Sequence, residues 1–372
     1  MDAFQRATAW VDTGAVTRNC ERLRRELGDG TELCAVVKAD GYGHGMAECA
    51  RAAVAGGATR LAVATASEAF ELRSALADTP ILVMGALTDP ELDVALGAGA
   101  ELAVWREEFL QLVAERSAQF GRRTRVHVKY DSGMGRLGER EPANVERLLA
   151  RADADGQLEL AGLWTHFATA DERGDDYFPL QLERFSELAE RARERHDLTL
   201  HAANSAATLR EPASHFDMVR CGVAVYGLDP FGEDPASHEL EPVMGLSSYV
   251  ADVKRFAEGD SAGYGRRWRA TEETFVGVVP IGYGDGYRRG LGPEFEVLIA
   301  GRRYPLVGTV SMDNVTVDLG PEPEVTRGEE VVLLGPSGDL RITAERWAER
   351  LGTINYEVTC GISPRVPRLG RR

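Results

Sequence analysis

Along the first 240 residues, apolar positions gather in short β-rich runs: LCAVVK (33–38), LAVAT (61–65), ILVMG (81–85), ELAVW (101–105), RVHVKYD (125–131), LAGLWTH (160–166), LTLHAA (198–203) and MVRCGVAVY (218–226). Between them lie segments with helical spacing of apolar residues, such as MAECARAAVAGG after the first run and NVERLLARADADG after the fifth, and no hairpin signal intervenes. Eight β/α units in about 240 residues match the count and size of a (β/α)8 TIM-like barrel. A doubly wound open sheet is the alternative. It would carry a GxGxxG fingerprint after its first strand, and none is there.

Near Glu241 the pattern changes. SSYVADVKRF, TFVGVVPIGYGDGY, EFEVLIAGRRYPLVGTVSMDNVTVDL and EEVVLLG alternate with glycine and proline punctuation, which predicts a mainly β domain. The predicted organisation is therefore a barrel over residues 1–240 and a β domain over 241–372, with the boundary in HELEPVM (238–244).

Composition narrows the partners. A net charge of −16 argues against a nucleic-acid or anionic-membrane surface, both of which call for basic patches, and favours a small molecule. The five cysteines (20, 34, 49, 221 and 360) form no CxxC pair and show no metal-ligand spacing, so no metal is expected and the thiols point to a reducing compartment. The N-terminal residues lack the apolar core of a signal peptide, and no run of about 18 apolar residues occurs, so the cytoplasm is expected. Of 43 basic residues only Lys38, Lys129 and Lys254 are lysine, a bias that codon preference explains but that draws attention to where each one sits.

In such a barrel the chemistry belongs at the C-terminal ends of the strands. Lys38 is expected to end the first strand, before a glycine-rich loop, where desolvation would lower its pKa and leave a neutral amine able to form a Schiff base. Arg136 lies in DSGMGRLG, His166 in THFATAD, Asn204 and Ser205 just beyond the seventh strand, and Arg220 and Gly222 on the eighth. The loops after strands seven and eight are the usual barrel phosphate site. A lysine facing a phosphate cradle describes pyridoxal phosphate.

With these residues assembled, the chain resembles the alanine racemases over nearly its whole length. AVVKADGYGHG (35–45) is similar to that family's cofactor-lysine signature, and DSGMGRLG, THFATAD, HAANSAA, VRCGVAVYGL, PIGYGDGYRR, SMDN and TINYE follow in the family's order. The resemblance implies a pyridoxal-phosphate enzyme with the cofactor on Lys38 and its phosphate held by Tyr42, Ser205, Tyr356 and the backbone around Gly222, next to Asn204. It implies that Arg220 faces the pyridine nitrogen with His166 beside it, and that Arg136 touches the phenolic oxygen near a carbamylated Lys129. Tyr264, from a second subunit, would be the base opposite Lys38. Met312 and Asp313 would come from that same partner to meet the substrate carboxylate, and Tyr283 with Tyr356 would narrow the mouth to a methyl side chain. The implied assembly is a homodimer with shared sites.

Three positions depart from the family pattern: Thr309 where arginine is frequent, Ser311 in place of cysteine, and Gly263 in place of the serine before the tyrosine. They leave serine as an alternative substrate to alanine. A decarboxylase of basic amino acids and a non-catalytic pyridoxal-phosphate carrier are further alternatives; SMDN, TINYE and Tyr264 weigh against the first, and the C-terminal domain against the second.

Overall fold

The structure, a computed structural model, describes residues 5–293 and 295–370. The chain divides into two compact units, one holding residues 16–231 and 238–240, the other the residues up to Ala15 with 232–237 and those from Glu241 onward.

The first strand, β1 (Thr8–Val11), belongs to the second unit. The first unit contains eight parallel strands: β2 (Glu32–Val36), β3 (Arg60–Val63), β4 (Ile81–Val83), β5 (Glu101–Val104), β6 (Thr124–Lys129), β7 (Leu158–Trp164), β8 (Thr199–His201) and β9 (Met218–Cys221). They pair in the order β8-β7-β6-β5-β4-β3-β2-β9, a single sweep with no reversal of direction, and helices fill most of the connections. This order rules out the doubly wound alternative and gives the expected barrel, nearly closed. Nearly every residue of these strands is buried, because helices cover one face and barrel packing the other; that is why the runs read as continuous apolar stretches.

Closure between β8 and β9 does not use a regular ladder. Asp217 donates its amide to the Leu200 carbonyl (3.0 Å) and accepts the Leu200 amide on its carboxylate (2.8 Å), while Arg220 donates its amide to Ala203 (2.9 Å). Two expected boundaries move. The first barrel strand, β2, stops at Val36, two residues before Lys38, and the eighth barrel strand, β9, stops at Cys221, beyond which Val223–Tyr226 form a 3-10 turn.

The second unit is mainly β. β10 (Met244–Tyr249), β11 (Asp252–Phe256), β14 (Thr274–Val279), β15 (Glu296–Ile299), β16 (Arg302–Val307), β17 (Val315–Gly320), β18 (Glu330–Ser337) and β20 (Arg368–Gly370) form one sheet with β1, in the order β11-β14-β17-β16-β15-β18-β10-β1-β20. β19 (Leu340–Ile342) extends from β18, and β12 (Ser261–Ala262) and β13 (Trp268–Arg269) make a separate ribbon. No helix among the described residues is long and apolar enough to cross a membrane.

Cys20, Cys34, Cys49 and Cys221 are buried, and burial raises all four thiols, to about 12 for Cys34, Cys49 and Cys221. The pairing of β6 with β7 slips between Val126 and His127, which sets His127 opposite Gly162. A Cβ at 162 would collide with the His127 ring and lie 2.8 Å from the Thr199 carbonyl. Gly162→Ala is expected to cost about 1–3 kcal/mol of stability through this overpacking, read as a lower urea midpoint.

Candidate active site

At the end of β2 the chain makes an unusual turn. Ala39, Asp40, Gly41 and Tyr42 all have positive φ, between 51° and 62°, so the segment after Lys38 coils left-handed. For residues with a Cβ this conformation costs roughly 1–2 kcal/mol each, and it persists only where the surroundings impose it. Glu68 accepts the Ala39 amide (2.7 Å) and Asp40 the Met46 amide (2.8 Å), which fixes both ends. His44 braces the middle: its Nδ1 lies 3.0 Å from the carbonyls of both Gly41 and Tyr42, so it carries the proton there. Its ring stacks on Tyr226 at 4.6 Å, and Tyr226 stacks on Tyr42 at 5.1 Å and donates its hydroxyl to the Val36 carbonyl.

This stack carries the Tyr42 hydroxyl to Gly222, where a Cβ would overlap it. Ser205 Oγ accepts the amides of Gly222 (3.0 Å) and Ala224 (3.3 Å). The cap of the following short helix is Asn204, whose side chain accepts the Ala207 amide at 3.0 Å; Ser205 is left to face the β9 loop. Tyr42 and Ser205 thus bring two neutral hydroxyls together over the Gly222 backbone, chemistry suited to an oxyanion.

Arg220 lies beside this cradle and is buried. It donates to Thr165 O (2.6 Å), Ala202 O (3.0 Å) and His201 Nδ1 (3.0 Å), and its guanidinium sits 4.7 Å from the Trp164 ring centroid. Of the five N–H donors of an arginine, these bonds leave two for another acceptor. Burial lowers its pKa to about 10, which still leaves it charged at neutrality. His166 Nδ1 is 3.4 Å from Nη2 of Arg220, and burial together with the positive charge of Arg220 holds the imidazole well below its ordinary range, hence neutral.

Lys129, the last residue of β6, is buried with its amine 4.0 Å from the Trp164 centroid. Burial, then the charges of Arg220 and Arg136, lowers its pKa to about 7. Arg136 is exposed in the loop that Asp131 folds by accepting the amides of Gly133 (3.1 Å) and Gly135 (3.0 Å).

The remaining expected residues belong to the second unit. Tyr264 opens a short turn and is 74% exposed; Tyr283 and Met312 are 41% and 52% exposed. Tyr283 and Gly284 donate their amides to the carbonyls of Ser311 (3.1 Å) and Met312 (2.9 Å), which joins those two loops. Beneath them the buried Asp285 accepts Arg6 (2.7 and 2.8 Å), and Asp313 accepts Arg365 (2.8 Å), a bond that holds its carboxyl below the usual range. Tyr356 lies on the helix Asn355–Cys360, half-buried. Two of the departures meet: Gly263 has φ +73°, a Cβ there would lie 2.8 Å from the Thr309 amide, and the Thr309 hydroxyl donates to the Tyr264 carbonyl at 3.1 Å.

Sequence reasoning did not single out Tyr226, His127, His201, Glu101, Arg6 or Asp285. For the interior residues a signal existed: RVHVK (125–129) alternates ionisable and apolar positions, which places Arg125, His127 and Lys129 on one face of a strand.

The chain matches the family model "Alanine racemase, N-terminal domain" over residues 11–230 and "Alanine racemase, C-terminal domain" over 243–370. It is 43% identical to an alanine racemase of Geobacillus kaustophilus and 42% identical to one of Frankia casuarinae, over 99% and 98% of this chain and 96% of each relative. The alanine racemase structure from Streptomyces coelicolor A3(2) is similar with a TM-score of 0.94 at 40% identity, covering 99% of both chains. Matches to both domain models, and relatives above 40% identity along nearly the full length, place this chain in the alanine racemase family.

Proposed function

We propose that this enzyme interconverts L- and D-alanine with pyridoxal phosphate, using Lys38 and Tyr264 as bases on opposite faces of Cα. The observation that carries the reading is the convergence of Tyr42, Ser205 and Gly222 into one oxyanion cradle beside Arg220, in the same unit as Lys38. The donor set suits the cofactor. The cradle offers the neutral hydroxyls of Tyr42 and Ser205 to a phosphate over the open backbone of Gly222, with Tyr356 as a further phosphate contact and Asn204 shaping the loop. Arg220, charged and with two donors to spare, suits an unprotonated ring nitrogen. When bound, pyridoxal phosphate supplies an electron sink for negative charge at Cα.

Each base has a distinct task. Lys38 holds the cofactor and moves a proton at one face of Cα; Tyr264 of the partner subunit moves one at the other. A tyrosine of ordinary pKa, about 10, needs neighbouring positive charge to accept a proton near neutrality, and Arg220 supplies it, with neutral His166 beside it. Arg136 and the Met312 amide orient the substrate carboxylate, with Asp313 steadying the Met312 loop, and Tyr283 restricts the side chain to a methyl. The names of the relatives carry alanine, and this favours alanine over serine. The exposure of Tyr264, Tyr283 and Met312 supports a homodimer in which a partner covers them. Four buried thiols kept protonated, with no disulfide among the described residues, agree with a cytoplasmic setting.

The primary test incubates the purified protein, loaded with cofactor, with each enantiomer of alanine and of serine in deuterium oxide, following circular dichroism and exchange at Cα. Racemisation of alanine is expected; a cofactor-bearing protein that exchanges no amino acid would falsify the reading. Tyr264→Phe should slow racemisation by about 10²–10⁴-fold, as for loss of a general base, with Cα exchange from L-alanine lost far more than from D-alanine. Full, symmetric activity would remove Tyr264 from the mechanism. Lys38→Ala and Tyr264→Phe chains, each severely impaired alone, should regain racemisation when co-expressed, since a mixed dimer contains one intact site.

Lys129, with a pKa of about 7, has a neutral amine available to carbon dioxide, and we expect it to be carbamylated. With ¹³C-labelled bicarbonate, a carbamate resonance should grow as pH rises through about 7, where the amine loses its proton, and vanish in Lys129→Ala. Persistence of the signal in that variant would assign it elsewhere.

A further inference from the structure

Arg220 is one end of a longer column inside the barrel. His201 Nδ1 receives its Nη1 donor at 3.0 Å, His201 Nε2 meets His127 Nδ1 at 3.0 Å, and His127 Nε2 meets the Glu101 carboxylate at 2.9 Å. Glu101 is the first residue of β5, at the opposite rim from Arg220, and also pairs with Arg60 and with Arg125 (2.9 Å). All four members of the column are buried.

We propose that Glu101 is a positioning residue for Arg220, acting through His127 and His201: its carboxylate imposes one direction of hydrogen-bond donation along the column and so fixes the guanidinium from the far end of the barrel. A carboxylate only accepts and a guanidinium only donates. Between those two ends, two neutral imidazoles have one consistent arrangement. Each carries its proton on Nε2 and presents the lone pair of Nδ1 to the next donor.

Neutrality of the two rings follows from their setting. Burial lowers both histidines, and for His201 the charge of Arg220 adds to it, while Glu101 opposes the shift at His127. For Glu101, burial is overcome by the His127 hydrogen bond and by the charges of Arg60 and Arg125, which hold it below the usual carboxylate range and keep it an acceptor. The column occupies space that Gly162 leaves open beside the His127 ring. The inference rests on the racemase reading only for the use to which Arg220 is put; the order of protons is a property of the barrel itself.

The test uses holoenzyme labelled with ¹⁵N-histidine. In the unsubstituted protein, His127 and His201 should both appear as Nε2–H tautomers; a mixed or Nδ1–H state of either ring overturns the proposal without any variant. In Glu101→Gln, Arg60 and Arg125 claim the amide oxygen, so the amide NH₂ faces His127, the column reverses and His201 turns an N–H toward Arg220. The expected result is a switch of the His201 tautomer together with a fall in kcat of about 10- to 100-fold and little change in KM. Glu101→Asp, which keeps the acceptor, should retain the tautomers and most of kcat. A folded Glu101→Gln protein with unaltered His201 tautomer and kcat would overturn the proposal. Should Glu101→Gln fail to fold, His127→Phe cuts the column and must loosen the His201 tautomer in the same spectra. If the unsubstituted protein does not racemise alanine, the functional reading falls, while the tautomer result still decides this inference.

Discussion

A charged guanidinium sealed inside the barrel is the constraint on which the rest of this structure depends. An unpaired buried charge would cost many kcal/mol, so the surrounding strands must supply acceptors aimed at Arg220. They do so where the barrel needs closing. Its amide bonds to Ala203, its side chain to Thr165, Ala202 and His201, and these partners lie on or just beyond β7 and β8, across the seam from β9. Arg220 therefore ties the seam together alongside Asp217 and presents two further donors beside the cradle. Burial, and after it this same charge, pushes His166 and Lys129 toward their neutral forms, so the residue at the seam also shapes the electrostatics of the site.

The cradle has its own local constraint. A left-handed turn through Ala39, Asp40 and Tyr42 is unfavourable for L-residues, yet the stacked rings of His44, Tyr226 and Tyr42 and the carboxylates of Glu68 and Asp40 hold it. Its effect is to turn the Tyr42 hydroxyl back over Gly222, while Lys38 stays at the start of the turn. His44, to which the sequence lent no role, is thereby explained as the brace. In the second unit Asp285 and Asp313, with Arg6 and Arg365, perform a comparable task for the loops bearing Tyr283 and Met312. The close approach of Gly263 to Thr309 turns two separate departures from the family pattern into one local solution: the glycine makes room, and the threonine hydroxyl anchors the Tyr264 carbonyl.

The column from Glu101 to Arg220 adds a level of control that loop residues alone do not provide. Hydrogen bonds between groups that can both donate and accept are ambiguous until an end is fixed. Glu101 fixes it with a group that only accepts.

Local periodicity carried much of this molecule. Eight apolar runs separated by helical segments determined the barrel, because strands buried on both faces must be apolar throughout, and the change to alternating strands near Glu241 marked the β domain. Lys38, Ser205 and Gly222 were singled out from expected strand ends and Tyr42 from the family motif, and the structure brings Tyr42, Ser205 and Gly222 together. Other features were decided only by the tertiary structure. β1 pairs with β10 and β20, more than 200 residues away, and nothing in TAWV names those partners. The left-handed turn, the 3-10 turn at Val223–Tyr226 and the register slip that places His127 beside His201 likewise arise from contacts between distant segments. A sequence pattern specifies which face of an element is buried. Which donor meets which acceptor across that buried face is settled only when the strands are aligned.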